Sequence, residues 1–262
     1  MKKSILGILS MLILLLPAIL VQGQGGNATA KKELPVTTKS KAAKEMALKG
    51  VNHFLNIEFA SAYEDFSDAL KLDPEFTFAQ VFMSFLTTGE TAKSYAKKAL
   101  KSAKNKTEGE KLFASLVDEK NNSREAGTEI WSKLHKMYPD CNLSQNFYVV
   151  TRASADERFA AAQEYIKKYP KDAWMYNTIA YYYMNEKKDM ESAKTNFEKY
   201  IALYPKGSNP YDSMGEYYLN NGDLENAEKY YTKSLEIYPF STSSLNALEK
   251  IKTEKNKDKV SN

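Results

Sequence analysis

Five prolines close five apolar, helix-like stretches at nearly constant spacing, and that spacing constrains the fold more than any other feature. The endings are Leu72-Asp73-Pro74, Met137-Tyr138-Pro139, Lys168-Tyr169-Pro170, Leu203-Tyr204-Pro205 and Ile237-Tyr238-Pro239. Successive prolines lie 65, 31, 35 and 34 residues apart, and the gap of 65 holds two units with a boundary near 104–106. Six units of about 34 residues fit between Ala42 and Pro239. A proline cannot continue a helix, so each one marks where a second helix stops. A single helical hairpin cannot bury its apolar face alone, so units of this kind must stack. The expected fold class is all-α, an α-solenoid of about six antiparallel helix pairs.

Helical periodicity places the helices at 42–56, 59–72, 75–87, 91–104, 107–120, 123–138, 143–153, 155–169, 172–186, 189–204, 209–221 and 224–238. Thr107, Ser154 and Asp223 stand where N-caps belong. A last helix over 241–255 carries Leu245, Leu248 and Ile251 on one face and is expected to cap the open end of the final unit. The polar stretch 31–41 reads as a flexible lead, and 256–262 as a disordered, solvated basic tail.

The unit Pro210–Pro239 has Tyr211, Met214, Gly215 and Tyr218, then Ala227, Tyr231 and Pro239. These resemble the tetratricopeptide pattern W-x2-L-G-x2-Y…A-x3-F…P. The unit before it repeats the pattern with Tyr176, Ile179, Ala180 and Tyr183, then Ala193, Phe197 and Pro205; an extra residue in its Glu186–Asp189 turn accounts for its length. Gly50, Ala62, Phe66, Ala69 and Pro74 match in the first unit. The resemblance to tetratricopeptide-repeat proteins is strong at 42–74 and 172–239 and degenerate at 75–170, within a repeat domain of 42–240. The segment Ser208-Asn209-Pro210-Tyr211-Asp212-Ser213-Met214-Gly215-Glu216 also resembles one common in secreted bacterial repeat proteins. Small residues are needed where the paired helices approach closest: Gly50 and Gly215 open one wall of that contact, and Ala62, Ala193 and Ala227 the other.

Residues 1–30 read as a secretory signal: Lys2 and Lys3, an apolar run from Ile5 to Val21, then small residues, with no acid. Cleavage fits after Gly23 or after Ala30. The alternative is an uncleaved inner-membrane anchor, although Pro17 interrupts a run close to the shortest that spans a bilayer. No cysteine follows the run to carry a lipid anchor. The expectation is export to the bacterial periplasm or beyond, with no membrane insertion after cleavage. The whole chain has 37 basic and 33 acidic residues, and losing Lys2 and Lys3 leaves a net charge of +2. Only Arg124, Arg152 and Arg158 are arginines. A nearly neutral, arginine-poor chain offers little to phosphates or bases, so nucleic acid is not an expected partner.

The sequence holds no constellation for catalysis. Cys141 is the only cysteine, reads as a small residue buried near a turn, and is expected to be inert. His53 and His135 lie 82 residues apart in different units without metal-ligand spacing, and read as packed or surface helix residues. Glu108 and Glu110 sit at a helix start, where the helix dipole favours acids. No metal, cofactor or enzymatic activity is expected.

The resemblance implies instead a scaffold that binds a protein or peptide along the groove lined by the first helix of each pair. Positions not used for packing between helices are Trp174, Asn177, Tyr181, Met184 and Asn185 in one unit, and Asn209, Asp212, Glu216 and Asn220 in the next. Tryptophan and tyrosine supply rigid contact area, and asparagine can bond an extended backbone. Trp174 has a second reading, packing on the preceding unit near Tyr169. The Lys and Asn clamp with which co-chaperone repeats hold a C-terminal carboxylate is absent, since Asn177, Tyr181, Asp212 and Glu216 occupy the matched positions. Two other functions stand beside the first: a carbohydrate or small-molecule binder with an aromatic groove, and a self-associating, homo-oligomeric part of an envelope complex that docks through 75–170.

Overall fold

The computed structural model describes residue 34 and residues 36–260, with side chains as far as 256. The expected signal over 1–30 lies outside the described residues. Thirteen α-helices and no strands make up the described chain, joined by short turns. The six pairs are α1 (Lys41–Leu55) with α2 (Phe59–Leu72), α3 (Thr77–Leu86) with α4 (Gly89–Ser102), and α5 (Glu108–Ala114) with α6 (Arg124–Met137). They continue as α7 (Asn142–Val150) with α8 (Ala155–Lys168), α9 (Trp174–Tyr182) with α10 (Met190–Leu203), and α11 (Asn209–Asn220) with α12 (Leu224–Ile237). The last helix is α13 (Thr242–Val260). This is the α-solenoid that the proline spacing requires.

Local chemistry sets the ends. Thr107 and Ser154 form capping boxes with Glu110 and Glu157, and Asp189 and Asp223 cap α10 and α12 with their side chains. Four of the second helices end at the tyrosine before a proline, at Tyr138, Tyr169, Tyr204 and Tyr238. Inside the pairs, a Cβ on Gly215 would stand 2.9 Å from the Tyr231 ring, and one on Gly50 3.0 Å from Phe66. Ala62 and Ala227, on the partner helices of those two pairs, are fully buried, as is Ala193 in the fifth pair.

Several elements differ from the sequence expectation. The helix expected over 107–120 stops at Ala114 and breaks into two 3-10 turns, Ser115–Val117 and Glu119–Asn121. There Ser115, Asp118 and Asn121 bond neighbouring backbone groups and so compete with the helix. The extra residue of the fifth unit is taken up by a π turn over Tyr183–Lys187, followed by Lys188 in the left-handed region at φ 54°. On α13, Ile251 and Leu248 pack against Ala227 and Tyr231, but Leu245 is 47% exposed and takes no part in the cap. Ser244 is the fully buried residue one turn before Leu248. The tail expected over 256–262 is helical as far as Val260; Lys255, paired with Glu228 of α12, ties the helix down near its end.

The lead is not free either. Leu34 is buried among the apolar side chains of the first three pairs. Thr37 donates its backbone N–H and its hydroxyl, at 2.9 Å, to the Glu110 carboxylate, and Thr38 donates its hydroxyl to Asp73 at 2.6 Å.

The largest departure from a simple stack is a contact between its ends. The turn joining α1 and α2 reaches the fifth and sixth units. Glu58 accepts the Ser208 backbone N–H at 3.0 Å, Asn56 Oδ1 accepts from the Tyr200 hydroxyl at 3.0 Å, and the Tyr238 hydroxyl accepts the Ala60 N–H at 2.9 Å. Asn56 and Glu58 are buried, and Ile57 between them is held at φ 64°. Phe54 stands 6.4 Å from the Phe147 ring of α7.

Candidate partner-binding groove

Trp174, Asn177, Tyr181 and Asn185 recur at helical spacing along α9 and its π turn, and the structure brings all four to one open cavity of about 370 Å³. Its opposite wall is Val150 of α7 with Ala155, Arg158 and Phe159 of α8. The Phe159 ring stacks on Tyr182 at 4.0 Å, and the Tyr182 hydroxyl donates to Asp156, which fixes that aromatic wall. Arg158 is half-buried; it donates to the Arg152 carbonyl at 3.1 Å and pairs with no carboxylate among the described residues.

A second cavity of about 180 Å³ adjoins the first, with Val150 and Trp174 as their common wall. Its other sides are Asn146 and Phe147 of α7 and Phe54, Leu55, Ile57 and Phe59 from the first pair. The turn that joins the two ends of the molecule therefore supplies half of this slot.

Four buried side-chain polar atoms among the described residues have no hydrogen-bond partner: His135 Nδ1, Asn146 Oδ1, Trp174 Nε1 and Asn177 Oδ1. Three of them belong to residues lining these two cavities. The orientation of the Asn146 amide is set by its other side, where Nδ2 faces the Asn142 carbonyl at 2.8 Å and Asn142 Oδ1. Unsatisfied buried polar groups call for water or a ligand atom.

The other expected groove residues lie elsewhere. Met184 is buried with Ala180, Phe197 and Met214 in the core between the fifth and sixth units. It follows Ala180 by four residues, which places both on the packed face. Asp212 is buried under α13, where it accepts from the Ser243 hydroxyl at 3.1 Å and from the Ser244 hydroxyl; burial raises its carboxyl above the usual range, against the lowering effect of the serines. Asn209 is buried and donates to the Tyr200 hydroxyl at 3.1 Å, which makes it part of the contact between the ends. Glu216 accepts from the Tyr181 hydroxyl at 2.7 Å, and burial next to that carboxylate drives the phenol well above its usual pKa. Asn220 is exposed and points its amide at Met184 Sδ, 3.7 Å away. Both readings of Trp174 meet the structure: it lines both cavities, and, partly buried, it packs against the apolar cluster of the preceding unit that holds Tyr165 and Tyr169. The ring it meets edge-on is Tyr200, 6.5 Å away.

Sequence reasoning missed Arg158, Phe159 and the slot residues Phe54, Ile57 and Phe59. Only the rarity of arginine singled out Arg158. Nothing local could have placed the first pair's turn against α7 and α9.

The cysteine and the two histidines lie outside these two cavities. Cys141 is buried and its thiol is pushed up, chiefly by that burial. His53 bonds Asp65 through Nδ1 at 2.8 Å. His135 stacks on Tyr148 at 4.1 Å, and burial first, then Arg152 and Lys168, hold its pKa down.

The fold and the groove define a helical-repeat solenoid, and sequence comparison places tetratricopeptide repeats within it. Residues 178–207 and 209–241 each match a family model described as Tetratricopeptide repeat. Among solved structures, the chain is similar to a tetratricopeptide repeat protein from Parabacteroides merdae, at 16% identity and a TM-score of 0.54, over 80% of this chain and 84% of that one. It is also similar to a chain of the APC/C hetero-tetramer Cut9-Hcn1, at 16% identity and a TM-score of 0.50. That likeness covers 80% of this chain and 42% of the other, so the protein spans less than half the length of that relative. At such identities the likeness concerns the fold alone. No curated protein sequence matches the chain.

Proposed function

We propose that the protein is an exported, non-enzymatic scaffold that binds an extended segment of a partner protein across α9. The observation that carries this reading is that Asn146, Trp174 and Asn177, each with a buried side-chain polar atom that lacks a partner, line two adjoining, aromatic-walled cavities. A peptide backbone offers both a carbonyl for the indole N–H and an N–H for the asparagine carbonyl, in the one unit that every protein segment repeats. Tetratricopeptide repeats in this chain agree with a protein-binding role. Export rests on the basic and apolar start of the sequence, with the periplasm or the cell exterior of a bacterium as destination. N-terminal sequencing of the exported protein reads out cleavage after Gly23 or Ala30.

The groove is tested by selecting a displayed random-peptide library against the protein and against Trp174→Phe, which keeps an aromatic ring and removes the N–H. Peptides enriched on the parent and lost on the folded variant support the reading. A library with no enriched peptide overturns it.

A further inference from the structure

We infer that the groove is selective for one kind of segment: a tyrosine or tryptophan anchor within about three residues of a carboxylate. This rests on the peptide-binding reading above. The anchor belongs in the slot between the first pair and α7. At about 180 Å³ the slot has room for about six waters at about 30 Å³ each. That is the bulk of one large side chain, not of a helix or a chain of residues. Phe54, Ile57, Phe59 and Phe147 offer the anchor apolar and aromatic faces.

One polar atom decides between anchors. Asn146 lines the slot, is 1% exposed, and its Oδ1 has no partner. Its Nδ2 is already committed to Asn142, so the amide cannot turn round to offer a donor. An anchor that carries its own donor, a tyrosine hydroxyl or an indole N–H, satisfies it. Phenylalanine or leucine would bury that acceptor unpaired. A sugar ring, with hydroxyls on every edge, would leave most of them facing apolar rings in this slot. The observations therefore favour a protein segment over a glycan.

The carboxylate belongs on the other side of Trp174. Arg158 lines the larger cavity and has no acidic partner among the described residues, while Glu186 stands exposed in water at the same cavity. A guanidinium held at a half-buried wall favours an incoming carboxylate. Because Val150 and Trp174 are common to both cavities, a segment crossing them puts neighbouring side chains into the two sites. An extended chain advances about 3.3 Å per residue, so the anchor and the acid fall within a few positions of each other.

Selectivity thus depends on the first pair as much as on the repeats that carry the sequence motif. The test is deep sequencing of the selected library, followed by dissociation constants for representative synthetic peptides. The enriched set should share a tyrosine or tryptophan with an aspartate or glutamate within three residues. Replacing the peptide tyrosine by alanine should weaken binding about tenfold or more, and replacing it by phenylalanine should weaken it by a smaller factor. Arg158→Gln should erase the acidic preference and keep the aromatic one. Phe59→Ala, whose ring is 46% exposed, should weaken every anchor-bearing peptide while the circular dichroism spectrum stays unchanged. Bound peptides with no common anchor, or an acidic preference that survives Arg158→Gln, would overturn this selectivity and leave the peptide-binding reading standing. Glycan-array binding without any enriched peptide would overturn both.

Discussion

The carboxylate of Glu58 accepts the backbone N–H of Ser208 across 150 residues of sequence, at 3.0 Å and with both residues buried. Asn56 and Tyr200 repeat the connection one residue pair away. The first unit is thereby joined to the fifth and sixth as well as to the second.

Glu58→Ala leaves a buried backbone donor unpaired, which costs about 1–3 kcal/mol. Urea unfolding should show a midpoint lowered by that amount, and small-angle scattering a larger radius of gyration as the ends part. An unchanged midpoint and radius would mean that the ends are not held together in solution.

Ile57 occupies the left-handed region at φ 64°, where a β-branched residue is strained by about 1–2 kcal/mol. Glycine accepts that conformation and costs only about 0.5–1 kcal/mol through the unfolded chain. Ile57→Gly should therefore be as stable as the parent or slightly more so, and more stable than Ile57→Ala. Thermal midpoints of the three proteins check this, and alanine above glycine would contradict it.

Two helical glycines should respond in opposite directions to alanine. At Gly215 the new methyl stands 2.9 Å from the Tyr231 ring, so Gly215→Ala should lose about 1–3 kcal/mol by overpacking. At Gly127, within α6, nothing lies within 4 Å of a Cβ, and Gly127→Ala should gain about 0.5–1 kcal/mol. Denaturant midpoints measured side by side decide the matter.

Two carboxylates give pH responses of opposite sign. Burial would raise Asp73, but the Thr38 hydroxyl, then the N–H groups of Lys39 and Glu75, then Lys106 outweigh it and hold the carboxyl below 3.8. Its stabilisation is present above that value and is lost as pH falls through the lowered pKa, so acid should release Thr38 and Lys39. At Asp212 burial prevails and raises the carboxyl above 3.8. Its stabilisation is present below 3.8 and is lost as pH rises through the raised pKa, so the neutral acid suits the α13 contact better than the carboxylate does. Asp212→Asn should remove this loss, and hydrogen exchange in α13 at stepped pH should then flatten between the acidic and neutral ends. A parent and variant with the same pH profile would refute the assignment.

Much of this architecture was legible because it is local and periodic. Proline marks helix ends, small residues mark close helix contacts, and both recur in every unit where the motif survives. The four α9 positions were legible for the same reason: Trp174, Asn177, Tyr181 and Asn185 share a face that the repeat pattern leaves unused. Met184 was misjudged although its spacing of four from Ala180 puts it on the packed face, and Asp212 because its partners, the serines of α13, lie beyond the repeat register. The slot was illegible on different grounds. Phe54, Ile57 and Phe59 look like ordinary hairpin residues until the turn is seen against α7, and neither periodicity nor composition encodes a contact of that range. The docked lead had Leu34, Val36, Thr37 and Thr38 to announce it, too short and mixed a stretch to show the period of a helix or strand.

In a repeat array each block normally senses only its immediate neighbours, so the ends fray first and damage stays where it occurs. The Glu58 bridge makes this chain a loop instead of a line. Loosening α1 withdraws support from α10 and α12, so the protein should melt as one transition and not from its termini inward. Such a loop folds late, because its closing contact must wait for most of the chain. A cut near residue 57 would be felt at residue 208 before it reached residue 120.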